Sequence, residues 1–130
     1  MALEKILVVD DNPLNRKLFG LLLKDREYVI RGAGDAEEAL EILKGWRPQL
    51  ILMDVQLPGM DGLELTRRLK ASAETRDIAV MVISAASGSS DVDLAYAAGC
   101  DACVKDGSDT VLFLEMVARL LKPREPGGAR

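Results

Sequence analysis

Residues 50–54 read Leu-Ile-Leu-Met-Asp, and residues 6–11 read Ile-Leu-Val-Val-Asp-Asp. Both stretches are short and continuously apolar, and each ends in acidic residues. An apolar run of this kind is typical of a parallel strand that is buried on both faces. The carboxyl ends of neighbouring parallel strands meet at one edge of a sheet, where ligands bind. The sequence therefore predicts that Asp10, Asp11 and Asp54 lie together at such an edge.

Three carboxylates that lie close together repel one another, and a bound cation relieves that repulsion. Mg²⁺ prefers oxygen ligands and is commonly held by one or two carboxylates together with waters and phosphate oxygens. We therefore expect a Mg²⁺ site that supports phosphate chemistry. The competing interpretation is that each Asp only forms a loop or caps a helix. Two strands that both end in acids make this the weaker interpretation.

The composition fits one soluble globular domain. The chain has 130 residues, of which 48% are hydrophobic and 29% charged, and its formal net charge is −4. The negative charge argues against a free-standing nucleic-acid-binding protein. No apolar run approaches the roughly 18 residues of a membrane span, and residues 1–5 carry no secretory signal. We therefore expect a cytoplasmic protein that binds neither nucleic acid nor membrane.

The chain contains no histidine. This excludes Ser-His-Asp and Cys-His catalysis, as well as metal sites with histidine ligands. The chain also cannot carry a phosphohistidine, so any part that it takes in phosphoryl transfer must use an aspartate. Cys100 and Cys103 form a Cys-x-x-Cys pair. Because no second cysteine pair completes a metal site, a metal or redox role for them is the weaker interpretation.

Strand-like and helix-like segments alternate along the chain. The expected strands are 6–10, 28–33, 50–54, 78–84 and 102–104, and the expected helices are 13–24, 35–43, 63–70, 91–98 and 111–121. Five such units predict an α/β, flavodoxin-like (βα)5 three-layer sandwich with a parallel sheet in the order 2-1-3-4-5. Residues 1–122 are expected to form this domain, and residues 123–130 a flexible C-terminal tail.

The first helix has both a start signal and an apolar stripe. Asp11 or Asn12 can cap its amino end, and Pro13 suits its first turn. The stripe consists of Leu14, Leu18, Leu21 and Leu22. In an amphipathic helix such a stripe faces the core.

Four stretches of the chain resemble the receiver domain of two-component response regulators. They are Ile-Leu-Val-Val-Asp-Asp-Asn at 6–12, Leu-Ile-Leu-Met-Asp-Val-Gln-Leu-Pro-Gly-Met-Asp-Gly at 50–62, Val-Ile-Ser-Ala at 82–85 and Ala-Ala-Gly-Cys-Asp-Ala at 97–102. The likeness runs from about residue 5 to residue 121. The chain is similar to single-domain receivers of the cell-cycle type, which act without a fused output domain.

The resemblance implies a phosphorelay function. Asp54 would take a phosphoryl group from a phosphohistidine on a sensor histidine kinase or a histidine phosphotransfer protein. Ser84 would donate its hydroxyl group to the phosphate, and Ala85 would leave room for the phosphate. The phosphorylated domain would then signal to a downstream protein partner in trans.

The resemblance also implies a set of metal ligands. Mg²⁺ would be held by Asp10, Asp11, Asp54 and the backbone carbonyl of Gln56. The metal would offset charge on the transferring phosphoryl group, so positioning and electrostatics would do most of the catalysis.

Two positions depart from the family pattern. Cys103 stands where the family usually has an aromatic residue whose rotation is coupled to the switch hydroxyl. Counting without gaps from Gly99 places Asp106 where the family has a lysine, and Lys105 lies one position early. In that register strand alternation directs Lys105 to the other face of the sheet. If the turn is shifted, Lys105 contacts the phosphate, and both arrangements stay open.

Two other functions compete with the phosphorelay receiver. A pseudo-receiver would have the same fold and bind a partner without phosphorylation. The Lys105-Asp106 order favours it, and the acidic cluster argues against it. A Mg²⁺-dependent phosphohydrolase that forms an aspartyl phosphate would usually carry a second aspartate where this chain has Gln56. We therefore expect a signalling module rather than an enzyme.

Overall fold

A computed structural model of the chain describes residues 4–84, 90–105 and 110–121. The strands are β1 (Lys5–Val9), β2 (Val29–Ala33), β3 (Leu50–Asp54), β4 (Ala79–Ser84) and β5 (Ala102–Lys105). The α-helices are α1 (Pro13–Leu23), α2 (Ala36–Leu43), α3 (Gly62–Ala71), α4 (Ser90–Ala98) and α5 (Thr110–Leu121), and a 3-10 helix (Lys24–Arg26) follows α1. Each boundary lies within one residue of the expected one. The expected tail lies outside the described residues.

The five strands form one parallel sheet in the order β2-β1-β3-β4-β5, which confirms the predicted topology. β1 and β3 are neighbours in the middle of the sheet, with Val9 opposite Met53. The residues that follow this pair, Asp10 and Asp54, therefore come to the same edge of the sheet. In the described part of the chain no helix is long and apolar enough to cross a membrane.

Helices cover both faces of the sheet, so alternate residues of each strand enter two separate cores. One core, on the side of α2, α3 and α4, includes Leu7, Val9, Ile51, Met53, Val80 and Val82. The other, on the side of α1 and α5, includes Ile6, Val8, Leu50, Leu52, Met81, Ile83, Phe113 and Val117. Burial on both faces explains why the strands are continuously apolar rather than alternating.

The leucine stripe of α1 does not face the core, so the expected orientation of this helix was wrong. Leu14, Leu18, Leu21 and Leu22 are 67%, 56%, 54% and 39% exposed. Leu23 is buried instead, and Phe19 is partly buried with its ring centroid 5.5 Å from that of Phe113. Phe19 and Leu23 are four residues apart and form a second apolar line, which packs against the sheet and α5. The four leucines consequently lie on the outer surface.

An ion pair between Lys70 and Asp101 joins α3, β4 and β5 at the amino edge of the sheet. Lys70 Nζ lies 2.9 Å from Asp101 Oδ2 and also donates to the carbonyl oxygens of Ile78, at 2.8 Å, and Arg76, at 3.1 Å. Asp101 Oδ2 accepts the Val80 N–H at 2.8 Å as well. The Lys70 side chain is only 18% exposed. Because the pair is partly buried and shares several hydrogen-bond partners, we expect it to contribute more to the free energy of unfolding than an ordinary surface ion pair does.

We predict that Lys70→Met lowers the free energy of unfolding by about 1.5–3 kcal/mol, because it removes charged hydrogen bonds from partly buried acceptors while keeping the apolar stem. Urea denaturation measures this loss. Lys44→Met is the matched control, since Lys44 pairs with Glu41 at the surface with both side chains more than 70% exposed. It should cost less than about 1 kcal/mol, and equal losses in the two variants would contradict the prediction.

Candidate functional site

Three carboxylates meet at the carboxyl edge of β1 and β3. Asp10 and Asp11 follow β1, and Asp54 is the last residue of β3. One carboxylate oxygen from each residue lies within 4.8 Å of the others. Asp10 is buried, Asp54 is partly buried and Asp11 is exposed. This spacing allows one cation to contact more than one of the three side chains.

The backbone holds two of these carboxylates in place. Asp10 Oδ1 accepts the N–H of Asn12 at 2.9 Å, and Asp54 Oδ1 accepts the N–H of Gln56 at 3.2 Å. Both bonds run to the residue two positions later, which is the geometry of an Asx turn. Asn12 in turn caps α1, because its Oδ1 accepts the N–H of Leu14 at 2.9 Å. The start of α1 is thus tied directly to the acidic pair.

Gly62 allows α3 to begin directly against the end of β3. Its N–H donates to the Val55 carbonyl at 2.9 Å, and its own carbonyl accepts the Thr66 hydroxyl at 2.8 Å. A Cβ atom at this position would lie 1.9 Å from the carbonyl oxygen of Asp54. Only glycine permits such a close approach of backbone to backbone. The loop between β3 and α3 therefore fixes the backbone of Asp54.

The acidic side chains open into a small pocket of about 180 Å³. Its walls are Asp10, Asp11, Asn15, Phe19, Asp54, Gln56 and Ile83. Ile83 is the Cα partner of Asp54 on β4, and with Phe19 it supplies the apolar part of the wall. Sequence reasoning missed Asn15 and Phe19 as lining residues. The available signal was their position in the first turns of the helix that follows the acidic pair.

The donor set of this pocket fits Mg²⁺. All of its acidic ligand atoms are carboxylate oxygens, and Gln56 lines the same pocket. Hard cations such as Mg²⁺ prefer this oxygen-only chemistry, and they usually keep several waters. The exposed Asp11 leaves the pocket open enough for waters or phosphate oxygens to complete the coordination.

Ser84 and Lys105 end the two strands beyond β3. Ser84 is 1% exposed, and Lys105 is its Cα partner on β5. In β5, Cys103 packs against the core on the α2, α3 and α4 side, whereas Val104 packs against the other core. Alternation along β5 therefore gives Lys105 the same face as Cys103, and the choice between the two registers stays open. The roles of Ser84 and Lys105 stay predictions, and Ala85 and Asp106 lie outside the described residues.

The two cysteines do not form a disulfide, and Cys100 is buried. Burial raises the pKa of the Cys100 thiol to about 11, and the nearby Cys103 and Asp101 add to the increase. The thiolate is the reactive form of cysteine. The protonated Cys100 thiol is therefore poorly suited to redox chemistry or metal binding at neutral pH.

Comparison with known proteins identifies relatives along nearly the whole chain. A family model described as the response regulator receiver domain matches residues 6–118. The polar-differentiation response regulator DivK of Brucella anthropi is 35% identical over 118 residues, a match that covers 91% of this chain and 96% of that protein. Nearly all of that relative thus aligns with this chain.

Solved structures show the same architecture. The signal receiver domain of a signal transduction histidine kinase from Syntrophus aciditrophicus is 29% identical with a TM-score of 0.87, covering 98% of this chain and 96% of that one. The receiver domain of a sensor histidine kinase from Pseudomonas aeruginosa is 25% identical with a TM-score of 0.83, covering 92% and 98%. The second structure holds a magnesium ion in its active-site cleft.

We predict that Gly62→Ala destabilises the fold by about 3 kcal/mol or more, because its methyl group cannot fit beside the Asp54 carbonyl without moving backbone. The melting temperature should fall accordingly. Gly20→Ala in α1 is the control, since a Cβ there meets no atom within 4 Å. Alanine is the better helix former, so this control should gain about 0.5–1 kcal/mol. A neutral Gly62→Ala would show that the end of β3 is not packed as described.

Proposed function

This chain belongs to the response regulator receiver domain family, and we propose that Asp54 is its phosphoacceptor. Receiver domains are signalling modules. The observation that carries the assignment is the position of Asp54 at the end of β3, in reach of two further carboxylates and partly open to the pocket. Asp10 is buried and Asp11 belongs to the turn after β1, which leaves Asp54 as the best-placed nucleophile.

In the proposed reaction a carboxylate oxygen of Asp54 forms a bond to the phosphorus of a phosphohistidine. The P–N bond breaks, and its electron pair leaves with the imidazole nitrogen of the donor. The product is an acyl phosphate on Asp54. Because these 130 residues contain no histidine, the phosphohistidine lies outside them, and the proposed donor is a sensor histidine kinase or a histidine phosphotransfer protein. The Gln56 N–H holds the carboxylate in place and so restricts it to one orientation before attack.

Asp10, Asp11, Asp54 and the backbone carbonyl of Gln56 would together hold Mg²⁺. A bound Mg²⁺ offsets negative charge on the transferring phosphoryl group. The magnesium in the active-site cleft of the Pseudomonas receiver supports a metal site at this edge of the sheet. Backbone N–H groups of the chain donate hydrogen bonds to the carboxylates of Asp10 and Asp54. These bonds keep the acidic side chains together despite their repulsion.

Ser84 is the proposed donor of a hydroxyl group to the phosphate, and Ala85 the residue that leaves room for it. The support for Ser84 is its burial at the carboxyl end of β4, beside the strand that carries Asp54. The acidic cluster is intact, which supports a phosphorylated receiver over a pseudo-receiver. Action on a downstream protein in trans, the extent of the domain and the cytoplasmic location stay predictions.

The outer leucines of α1 are the proposed docking surface for the phosphohistidine protein. Leu14, Leu18 and Leu21 are more than half exposed and follow the i, i+4, i+7 spacing by which helices bind one another. This stripe begins beside Asn15, which lines the acidic pocket. A partner helix lying along the stripe would therefore bring a histidine near Asp54.

We predict that Asp54→Asn abolishes the phosphoryl adduct formed with a small phosphodonor and Mg²⁺, because the amide is a poor nucleophile of nearly the same shape. Intact mass spectrometry measures the adduct. Asp35→Asn is the matched control, since Asp35 caps α2 and asparagine caps equally well. This control should keep the adduct. Phosphorylation that survives in Asp54→Asn would refute the assignment.

We predict that millimolar Mg²⁺ raises the melting temperature of the wild-type chain. A ligand that binds only the native state stabilises it by about 2.7 kcal/mol at a hundredfold excess over Kd. Asp11→Ala should remove most of the rise, whereas Asp77→Ala, an exposed acid outside the cluster, should keep it. A wild-type melt that is insensitive to Mg²⁺ would count against the metal site.

We predict that Leu18→Ala lowers kcat/KM for transfer from a phosphorylated histidine phosphotransfer protein about tenfold, as truncation of a central interface residue does. Phosphorylation by a small phosphodonor should not change, because that donor enters the acidic pocket and does not need the outer leucines of α1. Leu94→Ala on α4, where the side chain is 51% exposed, is the control and should leave transfer unchanged. Equal effects of the two substitutions would place the docking surface elsewhere.

A further inference from the structure

Arg16 lies on the inner side of α1, on the same line as Phe19 and Leu23. Its Nη1 donates to the backbone carbonyl of Asp10 at 2.6 Å. A cation on the inner side of a helix is unusual unless a specific acceptor holds it. Here the acceptor is the peptide group that joins the two acidic residues, Asp10 and Asp11.

The Asp10 carbonyl belongs to the first residue after β1 ends at Val9. The N–H of Asp10 still donates to the Ala33 carbonyl of β2 at 3.0 Å, and its side chain accepts the Asn12 N–H. A backbone carbonyl at a buried residue needs a hydrogen-bond donor, and Arg16 supplies one. The backbone of Asp10 is therefore held at its N–H by β2 and at its carbonyl by Arg16 of α1.

The neighbouring strand leaves room for this side chain. A Cβ atom at Gly32 of β2 would lie 3.0 Å from Cδ and 3.3 Å from Nε of Arg16. A Cβ at Gly34 would lie 3.5 Å from Nη1. The stem of Arg16 thus passes over two glycines, and a larger residue at Gly32 would push it from the Asp10 carbonyl.

We propose that Arg16 is a positioning residue for the metal site: through the Asp10 carbonyl it sets the orientation of the Asp10–Asp11 peptide, and with it the direction of the exposed Asp11 carboxylate. Gly32 serves the same arrangement by leaving space for the Arg16 stem. This inference rests on the Mg²⁺ site proposed above. A residue that only adds positive charge near the site would instead repel Mg²⁺. Removing such a residue would lower the Kd for Mg²⁺, whereas removing a positioning residue raises it.

Isothermal titration of Mg²⁺ into variants of the full chain tests the inference. Arg16→Met removes the donor and keeps an unbranched stem, and it should raise the Kd for Mg²⁺ about tenfold, as loss of a partner that orients a ligand does. Arg16→Lys keeps a donor and should recover part of the affinity. Lys17→Met removes an exposed cation from the same helix and should leave Kd unchanged or slightly lower.

Gly32→Ala tests the space requirement without removing the charge. It should raise the Kd for Mg²⁺ less than Arg16→Met does. Added to Arg16→Met it should have no further effect, because the double variant has no arginine donor left to displace from the Asp10 carbonyl. A melt without Mg²⁺ accompanies each variant, because a purely structural role would lower the melting temperature and leave Kd alone. If Arg16→Met does not fold, the Kd of Gly32→Ala for Mg²⁺ still tests the inference.

An Arg16→Met chain that binds Mg²⁺ as tightly as wild type, or more tightly, overturns the positioning role while leaving the metal site itself in place. A wild-type chain that binds no Mg²⁺ overturns the site and this inference together. The two failures are therefore distinguishable in the same experiment.

Discussion

Repulsion among three carboxylates at one edge of the sheet is the constraint on which the site depends. The topology places β1 beside β3, so the acids that follow these strands cannot avoid one another. The chain limits their movement with backbone groups: the N–H of Asn12 holds Asp10, and the N–H of Gln56 holds Asp54. What remains is a fixed, negatively charged pocket suited to a divalent cation and a phosphoryl group.

The rest of the fold keeps that edge rigid and accessible. Two apolar cores fill both faces of the sheet, so the strand ends cannot shift independently. Gly62 allows α3 to pack against the end of β3. At the opposite edge of the sheet, the Lys70–Asp101 ion pair links α3 to the residue before β5. On the outside, the leucines of α1 leave an apolar surface next to the pocket. The proposed donor protein can therefore bind where the reaction takes place.

The fold and the acidic cluster could be predicted because both depend on local, periodic features. Continuous apolar runs identify parallel strands, and their order follows from the handedness and length of the connections. The face of α1 could not be predicted, because that helix carries two apolar lines. The buried line is the one whose Phe19 contacts Phe113, which is far away in sequence. Arg16 was missed for a different reason: its acceptor is the backbone carbonyl of Asp10, and a backbone carbonyl leaves no signal in the residue pattern.

The most direct test of the central claim is an anomalous-difference map from a crystal of this chain soaked in Mn²⁺, which shares the preference of Mg²⁺ for carboxylate ligands. We predict one strong peak in contact with the carboxylates of Asp11 and Asp54. A map without a peak between these side chains, or with metal bound only elsewhere, would contradict it.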